Sequence, residues 1–134
     1  MSTKTKLIGA VLIVLSVCPA VMAGEPSAHP MILGAFLGEV INGDNVVPVV
    51  TIFQQTAEGR PCGTYTMSEG ETMESGTLSG FEWEGPYTLQ CQWQDKYGSG
   101  TLRILFSSQY NSFRGFWGTS KEAVLLPWDG VRQD

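Results

Sequence analysis

From residue 31 onward, hydrophobic and polar positions alternate with a period of two instead of recurring every third or fourth residue. The alternation is cleanest in 86–94, where Tyr87, Leu89, Cys91 and Trp93 share one face and Thr88, Gln90, Gln92 and Gln94 the other. In 98–107, Leu102, Ile104 and Phe106 fall together against Thr101 and Arg103, with Leu105 breaking the pattern. In 112–119, Phe113, Gly115 and Trp117 align. Segment 46–53 is apolar on both faces, and Pro48 within it lacks an N–H, which places it at an edge or a bulge. No long stretch carries helical spacing with good helix formers. Turn residues punctuate the runs at Asn42-Gly43-Asp44-Asn45, at 95–98 and at 108–111. The pattern predicts an all-β chain of about eight strands, over 31–41, 46–55, 63–68, 75–79, 86–94, 98–107, 112–119 and 123–132.

Short connections make sequence neighbours pair in space, so the expected topology is a single antiparallel meander. Closing it into a small barrel removes the exposed edges. A barrel of this size is filled by its side chains or holds one small ligand. Glycine alternates with large aromatics, as in Gly115 beside Trp117 and Gly80 near Trp83. This implies that a missing side chain on one strand makes room for a ring reaching across from another. The other meaning of the same pattern is a wall on which a ligand stacks.

The first residues differ from the rest. Lys4 and Lys6 precede an apolar run, and Val21-Met22-Ala23 follows. That is the layout of a secretory signal peptide, with cleavage expected after Ala23. The apolar run of about eleven residues is shorter than the roughly 18 needed to span a bilayer. Residues 24–30 form a flexible lead, and 31–134 the barrel domain. An alternative is a lipid anchor on Cys18, because Leu15-Ser16-Val17-Cys18 is similar to a lipoprotein lipobox. Export makes an oxidising compartment, where Cys62 and Cys91 are expected to form a disulfide. The expectation carries a tension. Third and fifth strands lie about 9.6 Å apart across the fourth, and a bridge needs Cα atoms within about 7 Å. The pairing therefore requires Cys62 to lie in a loop folded over the barrel end.

The strand motifs Gly63-x-Tyr65, Gly76-x-Leu78-x-Gly80, Leu89-x-Cys91-x-Trp93, Phe113-x-Gly115-x-Trp117 and Trp128-x-Gly130-x-Arg132 resemble those of small secreted bacterial β-barrel domains. In style they are similar to avidin-like and lipocalin-like barrels. The resemblance spans about residues 34–132 and implies architecture. No set of positions matches avidin's biotin-binding residues.

The formal charge of −5 and the lack of a basic stripe exclude a typical nucleic-acid binder. His29, the one histidine, lies in the lead between Ala28 and Pro30, a poor place to hold a catalytic base. Glu69, Glu71 and Glu74 cluster around a hairpin, with Glu82 and Glu84 following. Such acids suit a solvated turn, a Ca²⁺ site or a glycosidase pair, but their spacing matches no calcium loop, and no metal or cofactor is assigned. Arg132 is placed as a plug at one end of the barrel, stacking on an aromatic face or bonding terminal carbonyls. An enzyme is the least supported class. The expectation is an exported, non-catalytic barrel, secreted or periplasmic and without a membrane span. It would bind a small apolar or aromatic ligand on Tyr65, Tyr87, Trp93, Phe106, Trp117 and Trp128, or act as an envelope interaction module. The alternative is a filled barrel acting only through its surface on a protein partner.

Overall fold

The computed structural model describes residues 30–119 and 125–133. The expected signal segment, Cys18, His29 and the start of the eighth expected strand lie outside these. A short 3₁₀ turn, Pro30–Ile32, leads into β1 (Gly34–Asn42), β2 (Asn45–Gln55), β3 (Pro61–Glu69), β4 (Thr72–Trp83), β5 (Thr88–Asp95), β6 (Gly98–Phe106), β7 (Ser112–Thr119) and β8 (Leu126–Arg132). Each strand pairs antiparallel with the next, and β8 returns to β1, so the meander closes into an eight-stranded barrel.

Closure depends on glycine at the β1–β8 seam. A Cβ on Gly38 would lie 1.9 Å from the Asp129 carbonyl oxygen, so only hydrogen fits between the two backbones. Phe36, Leu37 and Val40 pair with Arg132, Val131 and Trp128, and the ladder is interrupted between them. There the Asp129 carboxylate accepts the Glu39 N–H at 3.1 Å, supplying an acceptor where the ladder has none.

The two ends of the barrel are built differently. At the end that holds the 3₁₀ turn, Phe36, Phe53, Phe81, Phe106 and Phe113 fill the interior. Their rings meet edge-to-face with centroids 5.4–6.1 Å apart, the geometry favoured by the ring quadrupole. Arg132 closes this end as a plug. Its guanidinium stands 4.7 Å from the Phe36 ring centroid and donates to the carbonyls of Leu33 at 2.8 Å, of Tyr110 at 2.9 Å and of Met31. Tyr110 holds a left-handed backbone (φ 58°), unusual for a bulky residue. It is fixed there by its hydroxyl, which donates to the Pro86 carbonyl at 2.6 Å. Residues 31 and 32 are therefore not strand: they turn across the barrel end, where Arg132 takes the carbonyls of Met31 and Leu33 and Ile32 is buried.

Three further expectations need correction. The fourth strand runs on to Trp83 through a bulge between Ser79 and Glu82. The bulge uses Gly80 at φ 62°, which meets nothing nearer than Gln92 at 3.5 Å, so Gly80 is a backbone device and not space for Trp83. Tyr87 does not continue the inner face of β5: it precedes the strand and is 41% exposed. Cys91 is a free, fully buried thiol, not the partner of Cys62. The reason is parity. Cys91 faces the interior with Leu89 and Trp93, whereas on β3 it is Gly63 and Tyr65 that face inward, which sends Cys62 to the outer face with Thr64. Cys62 lies within β3, opposite Gln54, and not in a loop that could fold over the barrel end.

Replacing Gly38 with Ala is expected to destabilise the barrel by about 3 kcal/mol or to prevent folding, because the clash is with backbone. Leu37→Ala, at the exposed neighbouring position, should cost well under about 1 kcal/mol. Urea unfolding of both variants checks this.

Candidate functional site

The other end of the barrel carries the β1–β2, β3–β4, β5–β6 and β7–β8 connections, and here the interior is open. A cavity of about 380 Å³ is lined by Val40, Asn42, Tyr65, Met67, Glu69, Trp93, Asp95, Tyr97, Trp117 and Trp128. These residues come from every odd-numbered strand, from the β5–β6 turn and from β8. Their inward direction follows from alternation: Tyr65, Met67 and Glu69 on β3, then Trp93 and Asp95 on β5, are each two residues apart.

Glycine shapes this end as well. A Cβ at Gly76 would lie 2.2 Å from the Tyr65 ring, and one at Gly100 would lie 2.8 Å from the Trp93 indole nitrogen. These are the true partners in the glycine–aromatic fitting. Gly115 instead makes room for the Trp128 carbonyl and the Leu102 side chain.

The rings are held rigidly. Tyr65 and Trp128 meet edge-to-face at 4.8 Å, and Trp93 and Trp117 do so at 5.5 Å and 90°. Trp93 Nε1 donates to the Gly118 carbonyl at 2.9 Å, Trp117 Nε1 to the Ile41 carbonyl at 3.0 Å, and Trp128 Nε1 to the buried Thr51 hydroxyl at 3.0 Å. The Tyr65 hydroxyl donates to Asp95 Oδ2 at 2.7 Å, and Asp95 Oδ1 accepts the Tyr97 N–H at 2.8 Å. Burial, and then the Asp95 carboxylate beside it, push the Tyr65 phenol far above the ordinary tyrosine range. At the rim, Glu74 turns inward and is nearly buried, and it pairs with Lys96 at 3.1 Å. That hydrogen bond and charge raise the Lys96 ammonium above its usual pKa.

Of the six expected ligand-facing residues, Tyr65, Trp93, Trp117 and Trp128 line this cavity together. Phe106 and Tyr87 are at the opposite end: Phe106 belongs to the phenylalanine cluster, and Tyr87 lies 5.5 Å from Tyr110. Val40, Asn42, Met67, Glu69, Asp95 and Tyr97 also line the cavity and were not among the six expected. The signal for Asp95 was present, because extending the inner face of Leu89, Cys91 and Trp93 by two residues reaches it. Of the acidic cluster, only Glu69 lines the cavity, and Glu84 pairs with Arg103 at 3.0 Å on the outside. Among the described residues, no three His, Cys, Asp or Glu side chains converge as a metal-ligand set, and no helix is long and apolar enough to cross a membrane. No family model, curated protein or solved structure matches this chain.

The Tyr65 phenol gives a pH dependence whose sign follows from its raised pKa. The folded state resists ionisation and the unfolded state does not, so the stability this contributes is complete below the unfolded pKa near 10.0 and falls as pH rises above it. Urea midpoints between about pH 8 and 11 should therefore decline in the native protein. The decline should be shallower in Tyr65→Phe, which is also expected to lose about 1–2 kcal/mol at neutral pH with the hydrogen bond to Asp95.

Proposed function

We propose that this protein is an exported, non-catalytic binding barrel that takes one small apolar or aromatic ligand in the tryptophan-walled cup at its open end. The observation that carries the reading is the contrast between the ends. One is packed with phenylalanine and plugged by Arg132; the other leaves about 380 Å³ walled by Tyr65, Trp93, Trp117 and Trp128. A volume of this size falls in the range of small-molecule sites, which are mostly apolar with a few placed polar groups. The cup, the single meander and the Arg132 plug are in keeping with a lipocalin-like style of barrel. The charged start and short apolar run of the first 23 residues support export. A binding role is favoured over catalysis because, among the described residues, the cavity lining contains no His, Ser, Thr or Cys. Its Asp95 carboxylate is committed to Tyr65 and Tyr97. A purely surface function has weaker support: of the exposed large apolar side chains, Val46, Met73 and Leu105 stand on three different strands, and the pair that register joins across the β1–β8 seam, Leu37 with Val131, is two side chains.

The test is titration with the neutral dye N-phenyl-1-naphthylamine, read by dye emission and tryptophan quenching. Saturable binding is expected. Trp117→Ala should weaken it by about tenfold, the loss of one aromatic wall. Tyr87→Ala, at the far end, should leave it unchanged. Absence of saturable binding, or equal loss in both variants, would overturn the reading.

A further inference from the structure

The chemistry left free in the cup is one-sided. All three indole N–H groups that reach it donate into the barrel wall, and the Tyr65 hydroxyl donates to Asp95. What the walls present to a ligand is therefore the electron-rich faces of the rings, together with carboxylate oxygens. Glu69 and Asp95 both line the cavity, and neither forms an ion pair among the described residues. Among the described residues, the lining contains no Lys or Arg. Lys96, the cation beside the rim, is held by Glu74, and its ammonium lies 5.2 Å from the Tyr97 ring centroid. The donors that remain among the lining side chains are the Asn42 amide and the Tyr97 phenol. Tyr97 is 68% exposed and stands at the outer edge. Among the described residues, such a site offers a carboxylate or phosphate no cation, only the Asn42 amide and the Tyr97 hydroxyl. It does have both elements that attract an organic cation, aromatic faces and unbalanced negative charge.

We infer that the cup selects a cationic ligand: a small organic ammonium with an apolar or aromatic body, the charged head lying against Trp and Tyr faces near Asp95 and Glu69. This rests on the binding-cup reading and deepens it by assigning the charge of the ligand.

The experiment compares three probes that share a benzyl body and differ in charge: benzyltrimethylammonium, its uncharged isostere neopentylbenzene, and the anion phenylacetate. Affinities are read by tryptophan quenching at low salt. The ammonium is expected to bind at least about tenfold more tightly than neopentylbenzene, and phenylacetate not to bind. Added salt should erode the ammonium's advantage and leave neopentylbenzene alone. Glu69→Gln, at the exposed rim, and Asp95→Asn, which keeps a carbonyl acceptor for Tyr65, should each cut the ammonium's advantage over neopentylbenzene several-fold. Equal binding of ammonium and isostere, or preferential binding of phenylacetate, would overturn the charge assignment and leave the apolar cup standing. Failure of all three probes, together with failure of the neutral dye, would overturn both.

Discussion

Everything in this molecule depends on β8 meeting β1. A meander of eight strands leaves two open edges unless its ends pair, and an open sheet of this length would have no enclosed interior. The pairing is achieved where side chains are absent. Gly38 lets the Asp129 backbone come close, Gly130 lies under the Phe36 and Phe113 side chains, and the Asp129 carboxylate serves the Glu39 N–H where the ladder is interrupted. Once the seam is shut, every inward side chain is committed to a tube of fixed width, and the residue types along that tube decide what it can hold.

Those types change along the axis. At the plugged end the inward residues are phenylalanines, which have no polar atom and pack against one another. At the open end they are tryptophan and tyrosine, which bring an apolar face and a polar edge together. Here the polar edges of Trp93, Trp117, Trp128 and Tyr65 are turned into the wall, to Gly118, Ile41, Thr51 and Asp95. The faces are thereby both fixed and left for a guest. Arg132 matters to the site although it is far from it: by bonding the carbonyls of Met31, Leu33 and Tyr110 it closes one end, so the cup opens at the other alone.

The strands were legible because most inward positions obey a strict period of two, as in Leu89-x-Cys91-x-Trp93 and Leu102-x-Ile104-x-Phe106. Legibility failed where parity shifts or a turn intervenes. In β4 the inner face moves from Gly76 and Leu78 to Phe81 across the Gly80 bulge, so a strictly alternating strand stops too early. Tyr87 fits the parity of β5 but precedes the strand, and it is exposed. Cys62 and Cys91 were paired by compartment chemistry, while the one-residue offset of Cys62 from Gly63 sends it to the opposite side of the wall. Phe106 points inward as alternation expects but lies at the plugged end, away from the other rings expected to face the ligand, because alternation specifies which way a side chain points and says nothing of height along the axis. Height follows from register, and register is what brings Asp95, Glu69 and the three tryptophans to one mouth.

The four tryptophans offer a direct measurement of the cup, since Trp93, Trp117 and Trp128 line it and Trp83 packs against Phe106 at the other end. Indole N–H resonances of the ¹⁵N-labelled protein, recorded while benzyltrimethylammonium is titrated, would report both ends in one spectrum. The expected result is saturable shifts at the indoles of Trp93, Trp117 and Trp128, with that of Trp83 unmoved. Equal movement at Trp83, or shifts confined to backbone amides on the outer faces of the strands, would contradict a binding cup at this end of the barrel.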